Sequence, residues 1–163
     1  MFETKTIART GKPAFYEDLC EQLRALLEGE SDRIANAANS SALLFQLMPD
    51  INWVGFYFLQ HDRELVVGPF QGKPACVRIP VGKGVCGTAV AQARSVLVED
   101  VHAFPGHIAC DTASRSELVV PLSSNGIIRG VLDLDSPLTA RFDADDQTGV
   151  ERLASIYMAA SAW

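Results

Sequence analysis

Three of the four cysteines lie in connecting segments rather than in apolar stripes, so their thiols are candidates for chemistry. Cys76 begins a short extended piece, Cys86 lies where a glycine-rich loop enters a short helix, and Cys110 lies in a long loop. The positive end of a helix favours a thiolate, so we expect a lowered pKa for Cys86. A loop cysteine near His102 and His107 is a candidate nucleophile.

Three uses of these thiols compete. Zinc would take the three cysteines together with His107 or His102, but the chain has no C-x-x-C pair, so the support for zinc is weak. A redox site would use one cysteine as nucleophile and another as resolving thiol. The third possibility is a set of inert thiols, and spacing alone does not decide. Cys20 lies beside the apolar stripe of the first predicted helix, where we expect a structural role.

A row of acidic residues is the second candidate feature. In VLDLDS, Asp133 and Asp135 face one side of a strand, roughly 7 Å apart, and the leucines face the other. Glu117 opens the neighbouring strand. Converging carboxylates can hold an ammonium group, and crowding raises one pKa so that one acid stays protonated. A solvated sheet face gives the same alternation, so both interpretations stay open.

The strand from Trp53 to Leu59 is the third candidate feature. Trp53 and Tyr57 flank Gly55 on one face, where the glycine is expected to leave room above the sheet. The opposite face is wholly apolar and should meet the helices. An aromatic floor for a small ligand and ordinary sheet packing with a glycine bulge are both consistent with this pattern.

Hydrophobic periodicity predicts the elements that must position these residues. Helices are predicted over 15–28, from an N-cap at Ser31 to about Met48, over 84–92, and over 141–160 with Asp143 as N-cap candidate. The second helix is expected to bury a stripe made of Ile34, Ala38, Ser41, Ala42 and Phe45. Strands are predicted over 52–60, 64–70, 76–80, 95–99, 116–123 and 127–135. Segment 100–114 is predicted to be a long loop, which is usually functional in a compact domain.

The hairpin connections and the helices at both ends predict an α+β sandwich. We expect a mostly antiparallel central sheet with helices on one face and pocket-forming loops on the other. A length of 163 residues predicts a single domain over 1–163. Hydrophobic residues make up 48% and charged residues 21%, which excludes a mainly disordered chain.

The net charge and the short apolar segments argue against nucleic acid and membranes as partners. A net charge of −6 does not steer a chain toward nucleic acid or an anionic membrane. The longest apolar run, 53–59, is far shorter than the roughly 20 residues of a membrane-spanning helix. The first fifteen residues contain no apolar signal region, so we expect a cytoplasmic, reducing location in which standing structural disulfides are rare. The cysteines are then free thiols, metal ligands or redox groups.

Five segments together resemble the free methionine-(R)-sulfoxide reductases, which are stand-alone GAF-domain enzymes. They are NWVGFYFL, VGKGVCGTAVA, DVHAFPGHIACD, SRSELVVPL and GVLDLDSP, and the resemblance extends from about residue 13 to 155. A sensor GAF domain needs none of the three cysteines. The resemblance implies a GAF-like fold and reduction of the R epimer of free methionine sulfoxide. It also implies thioredoxin as electron donor, no metal or organic cofactor, a cytosolic location and a possible homodimer.

The resemblance implies a role for each matching residue. Cys110 matches the catalytic nucleophile, Cys76 the resolving cysteine and Cys86 a further redox cysteine. The implied substrate-binding residues are Trp53, Tyr57, Asp100, Glu117, Asp133 and Asp135. Attack by Cys110 would leave a sulfenic acid, which Cys76 would convert to a disulfide. We expect segment 100–115 to close over the substrate and to differ between the reduced and oxidised forms.

Two other function classes remain as alternatives. A GAF-type module that senses a small molecule or nucleotide is disfavoured because we expect no effector domain after Trp163. Ligand binding that survives Cys110→Ser, without turnover by the wild type, would favour that module. A structural zinc protein would unfold when treated with chelators.

Overall fold

The computed structural model describes residues 2–8, 11–106 and 112–163. The helices are α1 (Lys12–Leu27), α2 (Arg33–Leu47), α3 (Gly84–Gln92) and α4 (Ala144–Ala160), with a 3₁₀ turn at Val101–Ala103. The strands are β1 (Trp53–Gln60), β2 (Glu64–Gly72), β3 (Arg78–Pro80), β4 (Val96–Val98), β5 (Ser116–Ser124) and β6 (Ile127–Ser136). None of the helices in this part of the chain has the length and apolar character needed to span a bilayer.

The strands form one antiparallel sheet in the order β3-β2-β1-β6-β5-β4. Consecutive strands β1 and β2 pair as a hairpin, and so do β5 and β6. Asn125 and Gly126 connect the second hairpin with positive φ angles of 51° and 77°. Two such residues give a turn whose twist matches that of the strands, which confirms the hairpin predicted at this point.

The two faces of the sheet carry separate apolar clusters. Helices α1, α2 and α4 cover one face, where Val54 and Phe56 of β1 are fully buried. The short helix α3 lies on the other face with Trp53, Tyr57 and Val131. The predicted α+β sandwich is therefore confirmed, and both faces of β1 are used as its alternation indicates.

Helix α2 differs from the prediction at its start and in its buried face. Its N-cap is Asp32 rather than Ser31, since the Asp32 carboxylate accepts hydrogen bonds from two backbone N–H groups. Ile34 and Phe45 are 48% and 39% exposed, and Ala38 and Ala42 are also exposed, so the predicted stripe is wrong except at Ser41, which is fully buried. The buried residues are Asn36, Ala37, Ser40, Ser41, Leu43 and Leu44.

Hydrogen bonds explain why polar residues of α2 turn inward. The Asn36 amide donates to the backbone carbonyls of Glu30 and Ala160. The Ser41 hydroxyl donates to the carbonyls of Ala37 and Pro69. Satisfied polar side chains can be buried at little cost, so hydropathy alone does not identify the inner face.

The start of α4 is fixed by a charged cluster. Asp143 is the N-cap, as predicted, and it forms a capping box with Asp146. The helix nevertheless begins at Ala144, three residues after the predicted start. Asp146 is 1% exposed and also accepts hydrogen bonds from Lys12, Tyr16 and Arg141. This cluster joins α1 to α4 on the helical face of the sheet.

Candidate active site

The strand register brings the predicted acids together on one sheet face. Asp135 of β6 lies between Trp53 of β1 and Glu117 of β5. In the next row of the same face, Asp133 lies between Gly55 and Val119. The pattern in VLDLDS thus identifies the correct face, and the register adds Glu117 to it.

Helix α3 places a thiol against these acids. Cys86 is the third residue of α3, and its Sγ lies 3.3 Å from Asp133 Oδ2 and 3.9 Å from Glu117 Oε1. The exposed fractions are 3% for Cys86 and 6% for each of the two acids. We call Cys86, Glu117 and Asp133 the acid cluster. Its donor atoms all lie within 4.8 Å of one another.

Burial controls the protonation of the acid cluster. It raises the pKa of Asp133 to about 7. Burial, followed by the nearby carboxylates of Asp133 and Asp135, raises the pKa of Glu117 well above its ordinary value. The cluster therefore retains acidic protons near neutral pH, and a protonated carboxyl can act as a proton donor.

The pKa of Cys86 is raised, contrary to the expectation from its place at the start of a helix. Burial is the largest cause, and the charges of Asp133 and Glu117 add to it. A helix end stabilises a thiolate only modestly, whereas a thiolate in a buried site beside two carboxylates is strongly disfavoured. The expectation of a reactive, low-pKa thiol at this position is wrong.

Trp53 and Tyr57, which we call the aromatic wall, leave no open space between them in this structure. Trp53 stacks on Tyr57 with a centroid distance of 5.9 Å and on Phe70 with 5.2 Å. A Cβ on Gly55 would lie 2.3 Å from Phe70 Cβ and 2.7 Å from Trp53 Cη2. The room expected above Gly55 is thus filled by the Trp53 ring and by the Cα and Cβ of Phe70. Phe70 is not among the predicted site residues, although its place opposite Gly55 in a hairpin is a usable signal.

Trp53 and Tyr57 also form hydrogen bonds with the segment that contains Cys76. The Trp53 indole N–H donates to the Lys73 carbonyl at 3.1 Å, and the Tyr57 hydroxyl donates to the Cys76 carbonyl at 3.0 Å. Cys76 is disulfide-bonded, while Cys20 and Cys86 are free. A disulfide-bonded Cys76 offers no thiolate, so the zinc set that includes this residue cannot form in this state.

Cys20 is fully buried among the apolar residues of α1, in agreement with a structural role.

Asp100 lies after β4 and caps the 3₁₀ turn, where its Oδ1 accepts from the His102 backbone N–H at 3.0 Å. Its side chain is 40% exposed, and Arg115 Nη2 lies 3.9 Å from its Oδ2. Cys110 and His107 lie outside the described residues, together with the rest of 107–111 in the predicted 100–114 loop.

Comparisons with known proteins agree with this architecture. The family model of the GAF domain matches residues 36–160. The free methionine-R-sulfoxide reductase of Escherichia coli K12 is 55% identical over 144 residues, which is 88% of this chain and 87% of that protein.

Two solved structures are similar over nearly the whole chain. The free methionine-R-sulfoxide reductase of Neisseria meningitidis in complex with its substrate has a TM-score of 0.94 and 43% identity, over 98% of this chain and 95% of that one. The reduced form of fRMsr of Staphylococcus aureus has a TM-score of 0.87 and 50% identity, over 96% of this chain and 99% of that one. The GAF-like fold is thereby confirmed.

Proposed function

The chain belongs to the free methionine-R-sulfoxide reductase family of GAF-domain proteins, and from this premise we propose that it reduces free L-methionine R-sulfoxide to methionine. The observation that carries the proposal is the row of acids beside Trp53. The register aligns Trp53, Asp135 and Glu117, and Asp133 follows in the next row. This face offers an apolar ring, negative charge and an acidic proton to one small ligand.

Substrate selection is assigned to two parts of this face. Trp53 and Tyr57 form the wall for the methyl sulfoxide end of the substrate. The more exposed acids, Asp100 and Asp135, hold the α-ammonium group. A methionine within a peptide chain has no free α-ammonium, so this contact selects the free amino acid.

Reduction transfers the sulfoxide oxygen to a cysteine. The Cys110 thiolate attacks the sulfoxide sulfur, and a protonated carboxyl of Glu117, Asp133 or Asp135 gives its proton to the oxygen. The attack joins the Cys110 sulfur to the substrate sulfur. The protonated oxygen then moves from the substrate sulfur to the Cys110 sulfur as this sulfur–sulfur bond breaks, so methionine leaves and Cys110 remains as a sulfenic acid. The substrate sulfur is reduced by two electrons and the cysteine sulfur is oxidised by two. The raised pKa of Glu117 supports its role as the proton donor.

The resting enzyme is restored through Cys76. Its thiol condenses with the sulfenic acid of Cys110, which forms a disulfide and releases water. Thioredoxin then reduces the disulfide by thiol–disulfide exchange and becomes oxidised itself. The disulfide-bonded state of Cys76 supports this assignment. The electron balance requires no metal, organic cofactor or third cysteine.

The proposal also covers the domain organisation, the cellular location and the oligomeric state of the protein. We assign residues 1–163 to one domain that works in the cytoplasm and tends to dimerise. Closure of segment 100–115 over the substrate belongs to the same proposal. The net charge of −6 gives no attraction to nucleic acid or to an anionic membrane surface.

The test compares the two epimers of free methionine sulfoxide. Methionine release is measured with thioredoxin, its reductase and a nicotinamide reductant, for the wild type, Cys110→Ser and Cys20→Ala. We expect turnover of the R epimer alone, abolished in Cys110→Ser and unchanged in Cys20→Ala. Tight ligand binding by wild type and Cys110→Ser without turnover of either epimer would support a sensor module instead. Turnover with glutathione but not with thioredoxin would contradict only the electron donor.

A further inference from the structure

Cys86 lies among the acids rather than in the segment of the disulfide-bonded Cys76. Its Sγ is 3.3 Å from Asp133 Oδ2 and 3.9 Å from Glu117 Oε1, and the residue is 3% exposed. We propose that Cys86 is a positioning residue whose thiol donates a hydrogen bond to Asp133, and that it takes no part in thiol–disulfide exchange. This inference rests on the proposed function, because it assigns a role within the same site.

The start of helix α3 holds Cys86 in a fixed place. The N–H of Gly82 donates to the Gly87 carbonyl at 2.8 Å, and the N–H of Gly87 donates to the Lys83 carbonyl at 3.0 Å. A Cβ on Gly87 would lie 2.4 Å from the Pro80 carbonyl oxygen, so the helix touches the end of β3 directly. Because Gly87 packs directly against β3, the helix backbone next to Cys86 is fixed at a short distance from the acid cluster.

Thiol–disulfide exchange also needs a thiolate, which the surroundings of Cys86 oppose. The acceptor carboxyl of Asp133 is only 3.3 Å away, so a negative sulfur would face a second negative group in a buried site. The raised pKa of Cys86 agrees with this geometry. A neutral thiol, in contrast, can act as a donor to the same carboxyl.

Asp133 depends on this donor. Its Oδ1 is buried and has no hydrogen-bond partner among the residues that the structure describes, so Oδ2 makes its contact with α3. The hydrogen bonds from Cys86 and Glu117 both lower the pKa of Asp133 against the effect of burial. Removal of the thiol therefore raises the pKa of Asp133 further. The titratable groups that face Asp133 are Cys86 from α3, Glu117 from β5 and Tyr57 from β1, and Asp135 lies on its own strand.

The first experiment compares Cys86→Ser with Cys86→Ala. Serine keeps a hydrogen-bond donor but no thiol, whereas alanine keeps neither. We expect kcat/KM to fall about tenfold in the alanine variant, the loss expected for one hydrogen bond to a charged group, and its pH profile to shift upward. The serine variant should recover most of that loss and the wild-type profile. Equal loss in both variants, or an unchanged rate and profile in both, would overturn the proposal.

Two further measurements do not depend on that comparison. Disulfide mapping after one turnover should find Cys86 unpaired in the wild type, and a disulfide that contains Cys86 would contradict the proposal. In oxidised Cys20→Ala, the remaining free thiol is that of Cys86, and its infrared S–H band should shift when Asp133→Asn is added. This band reports the hydrogen bond of Cys86 even if the wild type reduces no sulfoxide. A failure of the proposed reductase activity can therefore be distinguished from a failure of the proposed role of Cys86. An unshifted band would contradict the hydrogen bond itself.

Discussion

The Tyr57 hydroxyl donates a hydrogen bond to the backbone carbonyl of Cys76 at 3.0 Å. This bond joins the aromatic wall on β1 to the segment that contains the disulfide-bonded cysteine. The Trp53 indole makes a parallel connection to Lys73. The residues assigned to the substrate's methyl end therefore also hold the resolving segment, so substrate binding and disulfide formation share the same contacts.

Tyr57→Phe is expected to slow disulfide formation. The substitution removes one hydrogen bond, worth about 0.5–1.5 kcal/mol, from the segment that must present Cys76. We expect the conversion of sulfenic acid to disulfide to slow about two- to tenfold. The step is measured by rapid quenching of a single turnover and quantification of sulfenic acid and free thiols.

A matched control exists in Tyr157, whose hydroxyl donates to the Arg33 carbonyl at the same distance of 3.0 Å on the opposite face of the sheet. Tyr157→Phe should leave the disulfide-forming step at the wild-type rate. An unaltered rate in Tyr57→Phe, or equal slowing in both variants, would show that the bond to Cys76 does not position the resolving segment.

Stability should decrease as the pH rises because of Asp133. Its pKa is about 7 in the folded chain against an ordinary 3.8, so the folded chain holds a proton that the unfolded chain releases. Its contribution is complete below about pH 4 and is lost as the pH rises through 7. Thermal unfolding of the disulfide-bonded protein should show a Tm lower by about 5 °C or more at pH 8 than at pH 5.

Asp133→Asn isolates this contribution. The amide does not ionise, so the variant should lose less stability between pH 5 and pH 8 and should exceed the wild type at pH 8. Asp145→Asn changes an exposed carboxyl on α4 and should keep the wild-type pH dependence. A pH dependence in Asp133→Asn as steep as that of the wild type would contradict the assignment of the proton to Asp133.

Much of the site follows from alternation along two strands. The pattern of Trp53 and Tyr57 on β1 and of Asp133 and Asp135 on β6 identifies the face that these residues share, because a strand has a fixed period of two. The register that adds Glu117 depends on how β5 pairs with β6, which one strand's pattern does not specify.

Three of the incorrect expectations depend on contacts between distant segments. The sequence shows the start of a helix at Cys86 but not the two carboxylates packed against it, so the expected direction of its pKa was wrong. The space over Gly55 is filled by Phe70 from the neighbouring strand. In α2, hydrogen bonds of Asn36 across the fold outweigh the hydropathy of Ile34. Tertiary contacts decided each case.

The cluster around Asp146 should make a large contribution to stability and none to catalysis. Asp146→Asn leaves the cations Lys12 and Arg141 beside a neutral group in a buried place, which costs about 3–5 kcal/mol. Asp145→Asn, one residue away and exposed, should change the free energy of unfolding by less than about 0.5 kcal/mol. Urea unfolding measures both variants.

Activity measurements show whether Asp146 contributes to stability alone or also to catalysis. The folded fraction of Asp146→Asn should keep the wild-type kcat, since the cluster lies on the helical face of the sheet. A stable Asp146→Asn protein, or a folded one with reduced kcat, would contradict this division between the two faces.

The most direct test of the redox assignment is a single turnover without any reductant. Fully reduced protein is mixed with excess free methionine R-sulfoxide, and released methionine and remaining thiols are counted. We expect one methionine per chain and the loss of two of the four thiols, with Cys76 and Cys110 joined. Cys76→Ser should still release one methionine and should retain a trappable sulfenic acid. No methionine from the reduced wild type, or release that persists in Cys110→Ser, would contradict the assignment of Cys110 as the nucleophile.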